Sequence, residues 1–148
     1  MSKHEDSIKE EARGLLEPGE EFVSALVVSP RGSNTAIAGG PAAGEIGARW
    51  SNKNRGAAED AGLVVKRSSG LALTNRRLLT LDLAISMMGG IKEVKGILSE
   101  VPIDLVEEMT SKWNVLTISA GGTRFKLECK PPAAKAMARV FEAEKAAA

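Results

Sequence analysis

The sequence predicts a mainly β fold of the α+β class, in which seven antiparallel strands form two packed sheets or a partly closed barrel and a helix ends the chain. The clearest observation is a hairpin about Asn75-Arg76, because residues 71–74 and 78–83 both follow an alternation with a period of two. A second is the run 22–28, which is apolar on both parities, as in a strand that is buried on both faces. A third is an apolar helical stripe after Pro131-Pro132. A hairpin alone is marginal in water, so we expect the other strands to complete the sheet.

Composition excludes several classes of protein. The chain has 148 residues and is 43% hydrophobic, which suits one domain with its own core. The net charge of +1 gives no overall attraction to nucleic acid or membranes, and 3% aromatic residues are too few for base stacking. Cys129 and His4 are each the only residue of their kind, so we expect no disulfide, metal or cofactor site. No apolar run reaches about 18 residues and the N-terminus is charged, so the expected location is cytoplasmic.

An extra helix is predicted over residues 2–17, before the first strand. Ile8, Ala12 and Leu15 fall on one stripe, and Ser7 with Glu10 fits a capping box. Pro18-Gly19 ends this helix, and the first strand follows at 21–29.

Residues 30–70 are interpreted as a long Gly/Ala-rich insertion between strands 1 and 2, within a single domain of residues 1–148. A bare connection of this length is unusual in a compact domain. The residues that lie mostly on one helical stripe within it are Ala43, Ile46, Trp50, Ala57, Ala58 and Ala61. Gly44, Gly47 and Gly56 each weaken a helix by roughly 0.5–1 kcal/mol relative to alanine, so we expect the insertion to be partly helical and to need packing.

The rest of the chain is predicted to hold four strands and a closing helix. Residues 84–95 are expected to be a turn with an apolar centre. Apolar alternation then predicts the strands 96–101, 106–113, 115–120 and 123–130, with a Gly121-Gly122 hairpin turn before the last. The amphipathic helix is predicted over 131–145.

Four short segments carry a family resemblance. Residues 73–78 look like an LTNRRL signature, and residues 16–20 resemble an L-x-P-G-E lead-in to a first strand. Residues 101–106 are similar to the segment that connects strands four and five in this kind of domain, and residues 115–125 resemble its last hairpin. In this order the segments resemble bacterial PH-like and GRAM-like domains of the pleckstrin-homology superfold. The resemblance implies a partly open barrel of seven antiparallel strands, capped by the C-terminal helix.

The same resemblance implies a non-catalytic interaction module, since PH-like domains bind phosphoinositides, other anionic surfaces or peptides, and bacterial members self-associate. In that layout the turns between strands 1 and 2, 3 and 4, and 6 and 7 share one open end. The basic residues placed there, a candidate anion- or lipid-binding set, are Arg31, Lys66, Arg67, Lys92, Lys95 and Arg124. Each could add about 1 kcal/mol at an anionic membrane. The alternative is ordinary solvated loop charges, which the near-neutral net charge favours.

A candidate interaction surface consists of Trp50, Met87, Met88 and Ile91. Exposed apolar side chains often mark a protein contact, and methionine adapts to irregular partners. These side chains could instead pack onto their own domain. The first hypothesis is therefore a module that binds protein partners and forms a homo-oligomer through the insertion, and the second is binding to anionic lipid headgroups.

Other functions find little support in the sequence. The glycine run 39–44 lacks the Lys-Ser/Thr of a phosphate-binding loop, and the carboxylates of Asp104, Glu107 and Glu108 have no nucleophile or second base nearby, so we expect no enzyme. A nucleic-acid contact through Arg49, Lys53 and Arg55 is the weakest hypothesis. Arg76 and Arg77 are expected to serve the hairpin, one of them paired with an acid such as Asp82 or Asp104.

Overall fold

A computed structural model of the chain describes residues 3–30, 49, 52–66, 68–87 and 90–147. The strands in chain order are β1 (Phe22–Pro30), β2 (Ser69–Thr74), β3 (Arg77–Ile85), β4 (Ile91–Pro102), β5 (Val106–Lys112), β6 (Val115–Ala120) and β7 (Thr123–Glu128). The helices are α1 (Lys3–Ala12), α2 (52–60) and α3 (Pro131–Ala147), and two short 3₁₀ turns cover Arg13–Leu15 and Ile103–Leu105. The seven strands form one open antiparallel sheet in the order β4-β3-β2-β1-β7-β6-β5. The predicted class and the predicted seven antiparallel strands are confirmed.

The β2–β3 hairpin folds about Asn75-Arg76, as predicted, with Leu73 opposite Leu78. Asn75 does not adopt a positive φ. Its side chain instead hydrogen-bonds to the segment just before β1. Oδ1 accepts from the backbone N–H of Glu21 at 3.0 Å, and Nδ2 donates to the carbonyl of Gly19 at 3.2 Å. The turn residue therefore attaches the hairpin to the start of the sheet.

β4 begins at Ile91, so the prediction of a turn over 84–95 and a strand from 96 was wrong. The register against β3 shifts three times, and each shift leaves one residue of β4 without a partner, namely Lys92, Lys95 and Leu98. Extra residues of this kind are β-bulges, which change the phase of the alternation. Ile91, Val94 and Ile97 recur every third residue for this reason, and a period of two does not detect them.

β2, the first part of β3 and the centre of β1 are buried on both faces of the sheet. One face contributes to the main core, a cluster that includes Leu26, Leu71 and Leu78 and continues into β5–β7 through Leu116 and Phe125. The other face forms a second, smaller cluster under α1. The fully buried members of this second core are Ile8, Ala12, Ala25, Ala72, Leu79 and Leu81. Burial on both faces explains why β1 and β2 are apolar on both parities.

The later part of the predicted insertion contributes to the main core. Ala58 is fully buried there, and Leu63 and Val65 beyond α2 join it. The side chain of Asn54 accepts the backbone N–H of Lys126 at 2.9 Å, which holds α2 beside β7. Residues 31–48, 50–51 and 67 lie outside the described part of the chain, and so does most of the predicted glycine-rich segment.

α3 packs along the main core through Ala134, Met137 and Phe141, and it contacts β5, β1 and β6. Lys145 Nζ near its end donates to the carbonyls of Ile103 at 3.2 Å and Asp104 at 3.1 Å. Among the helices that the structure describes, none is both long and apolar enough to cross a membrane.

Candidate interaction site

The turn between β3 and β4 projects beyond the neighbouring strand. β2 pairs with β3 no further than Gly70 opposite Leu81, whereas β3 stays paired with β4 as far as Ile85 opposite Ile91. Ser86 closes the turn, because its backbone N–H donates to the carbonyl of Gly90 at 2.8 Å and its hydroxyl accepts from the N–H of Gly90 at 3.1 Å. We call the described residues of this turn, 85–87, 90 and 91, the β3–β4 tip.

The apex of the β3–β4 tip is apolar and open to solvent. Met87 is completely exposed, at 104% of its reference surface, and Ile85 is 38% exposed. Ile91, predicted as part of the same surface, is half-buried and packs against the second core. Met88 and Trp50, the other predicted members, lie outside the described residues. Among the described residues, the apolar side chains of the apex that a partner can reach are therefore Met87 and Ile85.

Two of the predicted basic residues flank this apex. Lys92 and Lys95 are the extra residues of two bulges in β4, and both are exposed. Glu93 is exposed between them, so the charge beside the tip is mixed. Lys66 is also exposed, in the segment that leads into β2, while Arg31 and Arg67 lie outside the described residues.

Arg124 has acidic neighbours. It lies in a cross-strand row opposite Ser119 of β6, which is itself opposite Glu108 of β5. Arg124 Nη2 is 3.9 Å from Glu108 Oε2, and its Nε donates to Ser119 Oγ at 3.4 Å. With Glu107 and Gly122 these residues line a shallow cleft. The guanidinium is thus partly balanced by carboxylates, which weakens its predicted contribution to a basic rim.

Arg77 is the most strongly bound charge, and its partners differ from the predicted Asp82 or Asp104. Its Nε donates to Glu20 Oε2 and its Nη2 to Glu20 Oε1, each at 2.8 Å, and its Nη1 donates to Glu100. The hydrogen bonds from Arg77 lower the pKa of Glu20 to about 2, and the same bonds raise the pKa of Arg77. All three guanidinium nitrogens are engaged, so Arg77 is a structural residue of the hairpin, as expected for this arginine pair.

Four exposed apolar residues of the described chain were missed by the sequence reasoning, namely Val64, Ile85, Leu105 and Trp113. Trp113 is 77% exposed in the turn between β5 and β6, and Leu105 is 56% exposed just before β5. Trp113 has a φ of 53°, a left-handed conformation that is rare for a bulky side chain. The available signal was a tryptophan at the first position of a two-residue hairpin turn, where glycine is usual.

The thiol and the carboxylate that could take part in catalysis have structural roles or are unreactive in the described part of the chain. Burial raises the pKa of the Cys129 thiol to about 12, which keeps it protonated and a poor nucleophile. Glu107 Oε1 accepts the backbone N–H of Gly122 at 2.6 Å, a structural bond across the β6–β7 turn. Within the described ranges, no three histidine, cysteine or acidic side chains are grouped as metal ligands.

Comparison with known proteins does not assign this chain to a family. No protein-family model matches it, and no curated protein matches it significantly.

Proposed function

We propose that this chain is a non-catalytic interaction module of the PH-like type, which binds protein partners, including a second copy of itself, in the cytoplasm. Its open sheet would form a partly open barrel capped by α3. The support for that architecture is the shared strand β1, which pairs with β2 over most of its length and with β7 at Ser29 and Pro30. The packing of α3 onto β1, β5 and β6 fits a helix that covers one end of such a barrel.

The observation that carries the binding function is the exposed apolar apex formed by Met87 and Ile85. A fully exposed methionine at the end of a projecting hairpin has surface that water solvates poorly and a partner can cover. The thioether side chain is flexible and polarisable, so it adapts to the shape of a protein surface.

Mixed charge around this apex favours a protein partner over a membrane. Lys92 and Lys95 have the exposed Glu93 between them, and Arg124, at the β6–β7 turn, has Glu108 beside it. Each basic residue near an anionic membrane adds only about 1 kcal/mol, so these five residues, with one net positive charge, give little attraction. An alternating surface of both signs instead suits a complementary protein face.

The alternative function is peripheral binding of anionic lipid headgroups. The specific observation that favours it is the position of Lys92 and Lys95 as exposed bulge residues directly after the apolar apex. An apolar apex followed by cations can enter the interfacial region of a bilayer while the lysines contact phosphates.

Site-specific photocrosslinking from position 87 in cells, followed by identification of the captured protein, tests the proposal. We expect the identified partner to bind the purified chain and to bind Met87→Asp about tenfold or more weakly, the loss typical of an interface anchor. Ala136→Asp is the matched control, because it adds the same charge at an exposed position of α3.

Vesicle sedimentation separates the two functions. Binding to anionic vesicles that Met87→Asp and Lys92→Glu abolish would replace the protein-binding proposal with the lipid-binding one. Binding to neither a protein nor vesicles would overturn both.

A further inference from the structure

We propose that two copies of this chain pair through the free edge of β5, antiparallel about a two-fold axis near Met109, so that one sheet continues into the other. The inference rests on the self-association part of the proposed function and assigns a surface to it. The β3–β4 tip is a different surface, so its partner can be tested independently of this dimer.

β5 is the sheet edge suited to pairing. β4 and β5 are the two terminal strands of the described sheet, and no described strand pairs with their outer sides. β4 carries three bulges, two of which place a lysine at the extra residue, and bulges and lysines are the features that prevent edge-to-edge association. β5 has one irregularity, between Val106 and Glu108, and is regular from Glu108 to Lys112.

The turn after β5 determines which of its backbone groups face outward. Lys112 and Val115 are paired across the two-residue turn of Trp113 and Asn114. Residues that flank a turn of this length exchange both backbone hydrogen bonds. Along the strand, the N–H and C=O groups of successive residues then point alternately toward the paired strand and away from it. Lys112 and Thr110 therefore direct their N–H and C=O groups toward β6, while Ser111 and Met109 direct theirs toward the free edge. A two-fold axis at Met109 lets the two Met109 residues exchange a pair of hydrogen bonds.

The side chains of β5 are complementary to themselves in this register. Thr110 of one copy lies opposite Glu108 of the other, so no like charges lie directly opposite each other, and the two Glu108 residues are diagonal neighbours across the axis. Lys112 lies diagonally from Glu108, and the two residues share a face of the strand because they are four positions apart. Diagonal neighbours lie about 7–8 Å apart, within reach of these long side chains, and the dimer contains this contact twice.

The same register gives a role to Leu105 and Trp113, the two most exposed of the apolar residues that the sequence reasoning missed. Leu105 lies in the 3₁₀ turn just before β5 and Trp113 in the turn just after it. Antiparallel pairing therefore brings the end of β5 that carries Trp113 in each copy to the end that carries Leu105 in the other. Pairing would thus cover an indole that is 77% exposed and a leucine that is 56% exposed.

A charge exchange tests the register. Lys112→Glu and Glu108→Lys each turn both Lys112–Glu108 contacts of the homodimer into like-charge contacts, so sedimentation equilibrium should show a dimer Kd weakened about tenfold or more for either variant alone. An equal mixture of the two variants restores opposite charges at both contacts and also between the two residues at position 108, so we expect a heterodimer that is at least as tight as the wild-type dimer. Lys126→Glu, the same reversal at an exposed position of β7, is the matched control and should leave the Kd unchanged.

Three results would overturn the inference. One is a wild-type dimer that neither variant weakens, which would leave self-association standing but place it on another surface. Another is a pair of weakened variants that their mixture does not restore. The third is a wild-type chain that stays monomeric at every concentration, which removes self-association and leaves the partner of the β3–β4 tip to be decided by crosslinking.

Discussion

Arg77 binds both carboxylate oxygens of Glu20, with Nε to Oε2 and Nη2 to Oε1 each at 2.8 Å. Thr74 Oγ1 donates to the same Oε2 at 2.7 Å, and Arg77 also reaches Glu100. The pair therefore joins three segments that are distant in sequence: the lead-in to β1, the β2–β3 turn and the end of β4. A bidentate arginine–carboxylate pair has a fixed geometry, so it holds these segments in one arrangement.

Acid should weaken the fold through Glu20. The hydrogen bonds from Arg77 lower the pKa of Glu20 from 4.5 to about 2, so the unfolded chain takes up this proton first as the pH falls. The corresponding stability is complete above about pH 4.5 and is lost as the pH falls toward 2. We expect a contribution of about 3 kcal/mol. Urea unfolding from pH 6 to pH 2 measures it.

Glu20→Gln is the reference for this pH series. Its free energy of unfolding should lie below that of the wild type at neutral pH, and the difference should shrink toward pH 2. A difference that stays constant with pH would show that Glu20 is not the titrating group.

Removing the guanidinium should lower the free energy of unfolding strongly at position 77 and only slightly at position 76. Arg77→Met leaves the carboxylate of Glu20 buried without its partner, and we expect a loss of about 3–5 kcal/mol in the free energy of unfolding. Arg77→Lys should be intermediate, because an ammonium cannot bind both oxygens in the same fork. Arg76→Met is the neighbouring control: Arg76 is half exposed and 3.8 Å from Glu17, so its loss should cost less than about 1 kcal/mol. Equal losses at the two positions would contradict the structural role of Arg77.

Gly70 should not tolerate a side chain, whereas Gly96 should. A Cβ on Gly70 would lie 3.1 Å from Leu81 Cβ and 3.3 Å from Leu83 Cδ2, inside the packed sheet. Gly70→Ala should therefore lower the free energy of unfolding by about 1–3 kcal/mol. A Cβ on Gly96 meets no atom within 4 Å, so Gly96→Ala should be neutral or stabilise by about 0.4–1 kcal/mol. Chemical denaturation of both variants provides the comparison.

Trp113→Gly should stabilise the monomer while it weakens the dimer. Glycine adopts the φ of 53° without steric cost, so we expect a gain of about 1 kcal/mol in melts at concentrations where the protein is monomeric. The loss of the indole should raise the dimer Kd. Trp113→Ala separates the two effects, since it removes the indole and keeps the unfavourable φ. A Trp113→Gly monomer less stable than the alanine variant would contradict the strain at this turn.

The thiol of Cys129 should be unreactive in the folded protein. Burial raises its pKa to about 12, so almost no thiolate is present at pH 8. A chromogenic disulfide reagent should react slowly with the native chain and rapidly after denaturation. Fast reaction of the native chain would show that the thiol is more accessible than its half-buried position indicates.

The elements that local pattern specifies were predicted well. The β2–β3 hairpin has the alternation of two half-buried strands about a turn, and β6 spans the predicted residues 115–120. The start of β4 was missed because three bulges break its alternation and make its apolar residues recur every third position. Of the predicted interaction surface, Met87 is exposed, whereas Ile91 packs against the second core.

The sequence by itself determined the mainly β class, the number of strands and the closing helix, because these depend on periodicity and turn residues that act over a few positions. Only the tertiary structure decided that Arg77 pairs with Glu20 and Glu100, that α1 covers a second face of β1–β4, and that Trp113 and Leu105 lie exposed at the two ends of a terminal strand. Each of these relationships joins residues that are far apart in the chain or depends on which strand ends the sheet. Side-chain partners and exposed edges are set by how the whole sheet is assembled, and no local pattern encodes them.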